Sequence, residues 1–244
     1  MAKAAGLSHT MVGRIWRTFG LQPHLTESFK LSPDPQLIAK VRDVVGLYMH
    51  PPHKAVVFSF DEKPQVQALQ RAQPILPMDL GQPERQTHNY LRHGTLDLFA
   101  ALNVATGEVL TRCTPQHRAQ DFVAFLRDID ASVETGLEIH VVLDNLSAHK
   151  APAVHRWLLR HPRVHFHFTP TYASWLNLVE RFFSELTTRQ LRRLAVTSVR
   201  ELEAAIHHYI ARRNADPKPF TWTASVRSII AKVKKANATL ASLH

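Results

Sequence analysis

Three apolar runs set the frame of this 244-residue chain, and helical periodicities fill the spaces between them. Residues 55–60 read Ala-Val-Val-Phe-Ser-Phe, an almost wholly apolar, β-prone run that predicts a strand covered on both faces. Residues 139–143 predict a second buried strand, and Val164, Phe166 and Phe168 alternate with His165 and His167 as in a strand with one polar face. Residues 96–104 and 108–113 flank Ala-Thr-Gly, which reads as a β-hairpin with Gly107 supplying the positive φ. Leu37, Val41, Val44 and Tyr48 recur at helical spacing, as do Phe122, Leu126, Ile129 and Val133 within residues 116–133. A short helix is expected over 150–161 with Val154, Trp157 and Leu158 inward, and a long one over 175–193 with Phe182, Phe183 and Leu186 on its apolar side. Ser198 and Glu201 form a capping box opening a helix that carries Val199, Leu202, Ile206 and Tyr209, and a basic helix with Lys232, Lys234 and Lys235 follows. Residues 63–94, rich in Pro, Gln and Arg, show no period and read as a long connection.

The order strand, hairpin, helix, strand, helix, strand, helix predicts an α/β fold. Its sheet should be mixed, with an antiparallel hairpin first and helical crossovers joining the later strands. Such sheets carry their sites at the carboxyl ends of the crossover strands. Upstream, residues 2–19 suggest a short helix, a Gly-Leu-Ser turn and a second helix with Val12, Ile15 and Phe19 on one side. Ser8 can cap that helix, leaving His9, Thr10, Arg14 and Arg17 free to face a DNA groove. This resembles the back half of a helix-turn-helix unit, the alternative being an ordinary helical hairpin; a complete unit needs a preceding helix that the chain starts too late to supply, which predicts further sequence upstream. Prolines 23, 33 and 35 mark a linker. The expected organisation is 1–32 partial DNA-binding segment and linker, 33–195 main α/β domain, and 196–244 C-terminal helical extension.

Charge narrows the class of partner. Thirty Lys and Arg against twenty Asp and Glu leave +10, which favours a polyanion, nucleic acid first. No apolar run reaches spanning length and no signal-like start is present, so a membrane is not expected. The single cysteine, Cys113, excludes an intrachain disulfide or a Cys-based zinc site, and a reducing cytoplasmic setting, associated with the nucleoid, fits. A zinc site on His165 and His167 is disfavoured for want of further paired ligands.

Two of the predicted strands end on acid. Asp61-Glu62 follow the first, Asp144-Asn145 the second, and Glu180 comes from the later helix. Phosphodiester cleavage needs a deprotonated attacking oxygen, a neutralised phosphate and a stabilised leaving oxygen. Two Mg2+ ions about 4 Å apart provide all three when carboxylates hold them. Singly each acid is a turn-former or cap; together they predict a metal site.

The blocks Phe-Asp-Glu at 60–62, Leu-Asp-Asn-Leu-Ser-Ala-His at 143–149 and Thr-Pro-Thr-Tyr-Ala-Ser-Trp-Leu-Asn-Leu-Val-Glu at 169–180 resemble those of DDE-type transposases. The bacterial insertion-sequence group related to mariner elements is the most similar. Thirty-five residues separate Asp144 from Glu180, as in that pattern. The resemblance implies a ribonuclease-H-like, retroviral-integrase-type sheet of five strands flanked by helices. It implies Asp61, Asp144 and Glu180 as catalytic metal ligands for two Mg2+ or Mn2+ ions. The matching block uses its first acid, so Glu62 is expected to support the site, or else to be simply a solvated neighbour. Asn145 and His149 are expected to shape the site, although His149 could simply cap a helix. Asn177, three positions before Glu180, is expected to share its helical face. Arg181, Arg189, Arg192 and Arg193 are candidates for phosphate contact.

The implied activity is cleavage at element ends and strand transfer into target DNA, by a homodimer or higher oligomer on double-stranded DNA carrying the terminal inverted repeats. The rivals are a truncated, non-catalytic DNA-binding remnant and a ribonuclease-H-like nuclease of other specificity.

Overall fold

The computed structural model describes residues 2–22, 30–73, 76–85, 87 and 89–242. Pro23 lies outside the described residues. The chain divides into two compact units, one ending at Leu31 and the other beginning at Ser32.

The first unit holds α1 (Ala2–Ala5) and α2 (His9–Phe19). Gly6, at φ 65°, turns the chain between them. Ser8 caps α2, its Oγ accepting the Met11 N–H at 3.1 Å, and Gly20 ends it at φ 63°. Val12 is buried and Ile15 half-buried. Phe19 lies on the same side but is 71% exposed, because helices this short cannot cover a third turn. His9, Thr10, Arg14 and Arg17 are exposed.

The second unit is built on a sheet of order β3-β2-β1-β4-β5. Its strands are β1 (Ala55–Arg71), β2 (Tyr90–Asn103), β3 (Val109–Thr114), β4 (Glu138–Leu143) and β5 (Val164–Phe168). β1 pairs antiparallel with β2, and β2 with β3, whereas β4 runs parallel to both β1 and β5. The helices are α3 (Leu37–Met49), α4 (Ala119–Ser132), α5 (Pro152–Leu158), α6 (Val179–Arg189), α7 (Val199–Asn214) and α8 (Val226–Ala241). The mixed five-stranded sheet flanked by helices is the expected ribonuclease-H-like architecture.

Alternation along β1 sends neighbouring residues to opposite faces. Phe58 and Phe60 enter a core with Phe99, Phe122, Phe125 and Ile129 beneath α4 and α5. Leu98, Ala100 and Leu102 instead meet Phe182, Leu186, Leu202 and Ile206, so α6 and α7 cover the other face. A third cluster joins Val41 and Val44 of α3 to Val57, Val142, Leu176 and Ile229. Each fully buried phenyl ring contributes about 2–3 kcal/mol.

Two expectations are corrected. Residues 63–71 are strand, not connection: β1 continues past Asp61 to Arg71, paired with the start of β2. Register shifts between Lys63 and Val66 and between Gln67 and Leu69 erase the two-residue alternation, and Pro64 sits in the first of them. The expected long helix over 175–193 is broken as well. A 3-10 turn (Ser174–Leu176) precedes α6 and another (Leu191–Arg193) follows it. Asn177 is extended at φ −87°, ψ 109° because its side chain is engaged with β1.

Among the described residues, no helix is long and apolar enough to cross a membrane.

Candidate active site

The register of the parallel pair aligns the first two acids. Ser59 stands opposite Val142, so Asp61 and Asp144, each two positions further on, reach the same level. β1 needs no end there; β4 does end, at Leu143, leaving Asp144 in the loop. Glu180 lies in the first turn of α6.

A buried polar pair fixes α6 against β1. Ser59, fully buried, donates to Asn177 Oδ1 and accepts the Val179 N–H at 2.9 Å. Asn177, 2% exposed, donates from Nδ2 to the Phe60 carbonyl at 2.7 Å and to Asp61 Oδ2 at 3.3 Å. Tyr48 of α3 adds a bond to the Leu176 carbonyl at 3.0 Å. Asn177 therefore does not share the helical face of Glu180; it precedes the helix and bonds directly to Asp61. Its buried donors and acceptors are matched, as burial demands.

On the opposite face, His149 ties together Glu62 and Asp144. Its side chain is fully buried, Nε2 lies 2.7 Å from Glu62 Oε1, and Nδ1 lies 3.0 Å from Asp144 Oδ1. Burial opposes the imidazolium, but the bonds and charges of Asp144 and Glu62 outweigh it and lift His149 from 6.5 to about 9. Both ring nitrogens then donate. Glu62, whose side chain is 6% exposed, is a buried partner and not a solvated neighbour. His149 sits in the 3-10 turn Ser147–Lys150, against the rings of Phe60 and Phe122. Asn145 joins the strand ends, donating to the Thr169 carbonyl at 2.8 Å and accepting from Lys150 Nζ at 2.8 Å.

The acids are electrically unequal. Burial above all, reinforced by the charges of Glu62, Asp144 and Glu180, pushes Asp61 from 3.8 up to about 8, against the Glu62 N–H bond. For Asp144, burial raises the pKa, but the His149 and Leu146 bonds prevail and hold it below its ordinary value. Glu180 is raised by burial and Asp144, with Lys63 acting the other way. Asp61 thus feels both other acids. Their donor atoms are carboxylate oxygens, the ligands that hard divalent cations select. Among the described residues, the His, Cys, Asp and Glu group whose ligand atoms all close within 4.8 Å of one another is Cys113, Glu203 and His207.

The expected phosphate contacts separate into two places. Arg181 and Arg189 line a cleft of about 930 Å³ between α6, α7 and residues 216–220, together with Arg212, Arg213 and Lys218. Arg181 stacks on Phe220 at 4.9 Å. Arg213 is largely structural, pairing with Glu185 at 3.5 Å and bonding to the Gly107 carbonyl. Arg192 and Arg193 are exposed on the turn after α6, where the Arg192 carbonyl accepts from Arg71 at 2.9 Å.

Sequence reading missed Ser59, Lys63 and Asp97. Asp97, 5% exposed, accepts the Gln65 N–H and bonds His117 Nδ1, both at 2.6 Å, and so secures the first register shift of β1. A serine in an otherwise apolar strand and an aspartate in the run Thr-Leu-Asp-Leu-Phe were the available signals.

Comparison with known proteins bears on the fold and the family. The chain is 26% identical over 113 residues to an insertion element IS630 protein of Shigella sonnei, a match spanning 46% of this chain and a third of that protein. In structure it resembles the Mos1 mariner paired end complex with Mn, at TM-score 0.62 and 15% identity over 86% of this chain and 65% of that one. The corresponding complex with Mg gives TM-score 0.58 at 15% identity, covering 90% and 74%. The family model for the DDE superfamily endonuclease matches residues 56–203, more than half of the chain and the span from β1 into α7, and the chain belongs to that family.

Proposed function

We propose that this chain carries the strand-cleaving and strand-transferring site of an insertion-sequence transposase, dependent on Mg2+ or Mn2+, with Asp61, Asp144 and Glu180 as metal ligands. The observation that carries the reading is the convergence of these acids from β1, β4 and α6, with Asp61 driven up to about 8 by burial and by the other carboxylates. A buried carboxyl so disfavoured as an anion becomes a good ligand once a cation supplies the missing charge. Relatives whose names speak of an insertion element and of mariner paired end complexes, with Mn and with Mg, support it further.

Two bound ions would neutralise the scissile phosphate, favour hydroxide over water and stabilise the leaving 3′ oxygen. The protein's own groups hold the ligands for that task. His149 fixes one Asp144 oxygen and leaves the other outward, where the side chain is 43% exposed. Asn177 orients Asp61 while anchoring α6. Through Val179 and Ser59 the same contact sets the position of Glu180 relative to β1. DNA reaches the site along the cleft beside α6, where Arg181 and Arg212 offer exposed guanidinium groups to phosphate. His9, Thr10, Arg14 and Arg17 of α2 read the element's terminal repeat, and two ends are held by an oligomer.

The test is strand cleavage with Mg2+ or Mn2+ on DNA bearing the ends that flank the gene. Asp61→Asn, Asp144→Asn and Glu180→Gln should each abolish cleavage while leaving DNA binding in place. Cleavage retained by any one of them removes that residue from the set of essential ligands.

A further inference from the structure

A second cluster of metal-ligating side chains lies away from the acidic site, on the face of the sheet covered by α7. Cys113 ends toward this helix from β3, and Glu203 and His207 project from α7 one turn apart. One ligand atom from each, the thiol sulfur, a carboxylate oxygen and a ring nitrogen, falls within 4.8 Å of the others. His207 Nε2 and Glu203 Oε1 are already 3.7 Å apart. Around a tetrahedral zinc ion, with Zn–N and Zn–O near 2.0–2.2 Å and Zn–S near 2.3 Å, ligand atoms are separated by about 3.3–3.6 Å. The Glu203–His207 pair, at 3.7 Å, is within a few tenths of an ångström of ligating separation. With all three atoms within 4.8 Å, the remaining approach to the sulfur is at most about 1 Å and falls to side chains that are 46% and 51% exposed.

We propose that Cys113, Glu203 and His207 form a binding site for a borderline divalent cation of the zinc type, which clips α7 to the edge strand β3 and leaves its fourth position to water. Sulfur, imidazole and carboxylate are a zinc-type donor set, distinct from the all-oxygen set of the acidic site. A single thiolate is too little for a site built on cysteines; two helical ligands ninety or more positions downstream complete a mixed one. Leu202 and Ile206, on the adjoining row of α7, are fully buried against the sheet, so the helix backbone is held in place before any ion arrives. Burial, with Glu203 beside it, pushes the thiol up to about 12, so ligation displaces one proton to solvent.

Because Cys113 is the chain's only cysteine, sulfur ligation reports on this site alone. The experiment titrates the metal-free full chain with Co2+ and follows the thiolate-to-cobalt absorption in the near ultraviolet, then displaces it with Zn2+. One equivalent of sulfur-ligated Co2+, lost in Cys113→Ser and weakened at least about tenfold in His207→Ala and Glu203→Gln, is the expected result. His208→Ala, one position along and exposed, should bind as the parent does. Asp61→Asn should also keep the band, which separates this site from the acidic one. Absence of a thiolate band at saturating Co2+ overturns the proposal. So does a band unaffected by His207→Ala and Glu203→Gln together, provided both variants unfold at the parent's temperature.

Discussion

The charge on Asp61 costs the metal-free protein stability, and Asp61→Asn should make it more stable while ending its proposed activity. Asp61 titrates near 8 in the fold against 3.8 ordinarily, chiefly through burial. For a group whose folded pKa is raised, the stabilising contribution is complete below the unfolded value and disappears as pH rises through the folded one. In the window from about pH 4 to 8 the wild-type chain therefore loses stability, by at most about 6 kcal/mol at about 1.36 kcal/mol per pH unit. Relaxation and water entry take up part of that, leaving about 2–4 kcal/mol, or a rise of roughly 5–10 °C in melting temperature for the variant at pH 8. Asp144→Asn should do the opposite, because that carboxylate is held below its ordinary value by His149 and its loss leaves the imidazolium half-paired. The assay is thermal unfolding in chelator at pH 8 and pH 4, and then at pH 8 with Mg2+. The expected pattern is Asp61→Asn above wild type at pH 8, equality near pH 4, and a metal-induced rise in wild type that the variant lacks. An Asp61→Asn chain less stable than wild type at pH 8 would refute the electrostatic reasoning.

Other perturbations test neighbouring contacts. His149→Ala strands Glu62 and Asp144 without the cation between them and should cost about 3–5 kcal/mol in denaturant unfolding at pH 7; a loss below about 1 kcal/mol would mean the pair is not buried as described. Gly107 sits at φ 79° in the β2–β3 turn, and a Cβ there would lie 2.3 Å from the Lys218 backbone carbon, so Gly107→Ala should lower the melting temperature by an amount equivalent to roughly 2 kcal/mol or more. Replacing Arg181 and Arg212 with Ala should reduce the slope of log affinity against log salt by about 2 in a filter-binding or anisotropy titration, and an unchanged slope removes the cleft from the DNA path.

Much of this arrangement was legible from residue pattern because burial dictated it. Residues 55–60 and 139–143 are largely apolar where β1 and β4 lie inside the sheet, Val164, Phe166 and Phe168 alternate with histidines at the edge strand β5, and the helix spacing of Phe122, Leu126 and Ile129 reproduces the buried face of α4. The region after Asp61 was illegible for a physical reason: two register shifts in β1 destroy the two-residue alternation by which a strand is read. Asn177 was misplaced because its conformation is set by Ser59, 118 positions away, and no local propensity carries that information. His149 and Glu62, separated by 87 positions, likewise meet only through the parallel pairing of β1 and β4.

That pairing also explains why adjacent acids serve different ends. Consecutive strand residues face opposite sides of a sheet, so Asp61 and Glu62 cannot enter one ligand set from the same strand. Asp61 turns toward Asn177 and α6; Glu62 turns with Phe60 toward the α4 face, where His149 waits. Glu62 thus acts on the site at one remove: it fixes His149, which fixes Asp144. The strain this concentrates around Asp61 is borne by its neighbour. Phe60, with no exposure at all, packs against Phe122 at 4.9 Å, Phe125 at 5.7 Å and Phe99 at 6.1 Å. Aromatic contacts of this kind contribute about 0.5–1.5 kcal/mol apiece beyond their buried area. Together with that area they offset a cost of the size expected for the Asp61 charge. The raised Asp61 carboxyl is thus backed by a ring packed among three other phenylalanines, one residue away on the other face of the same strand.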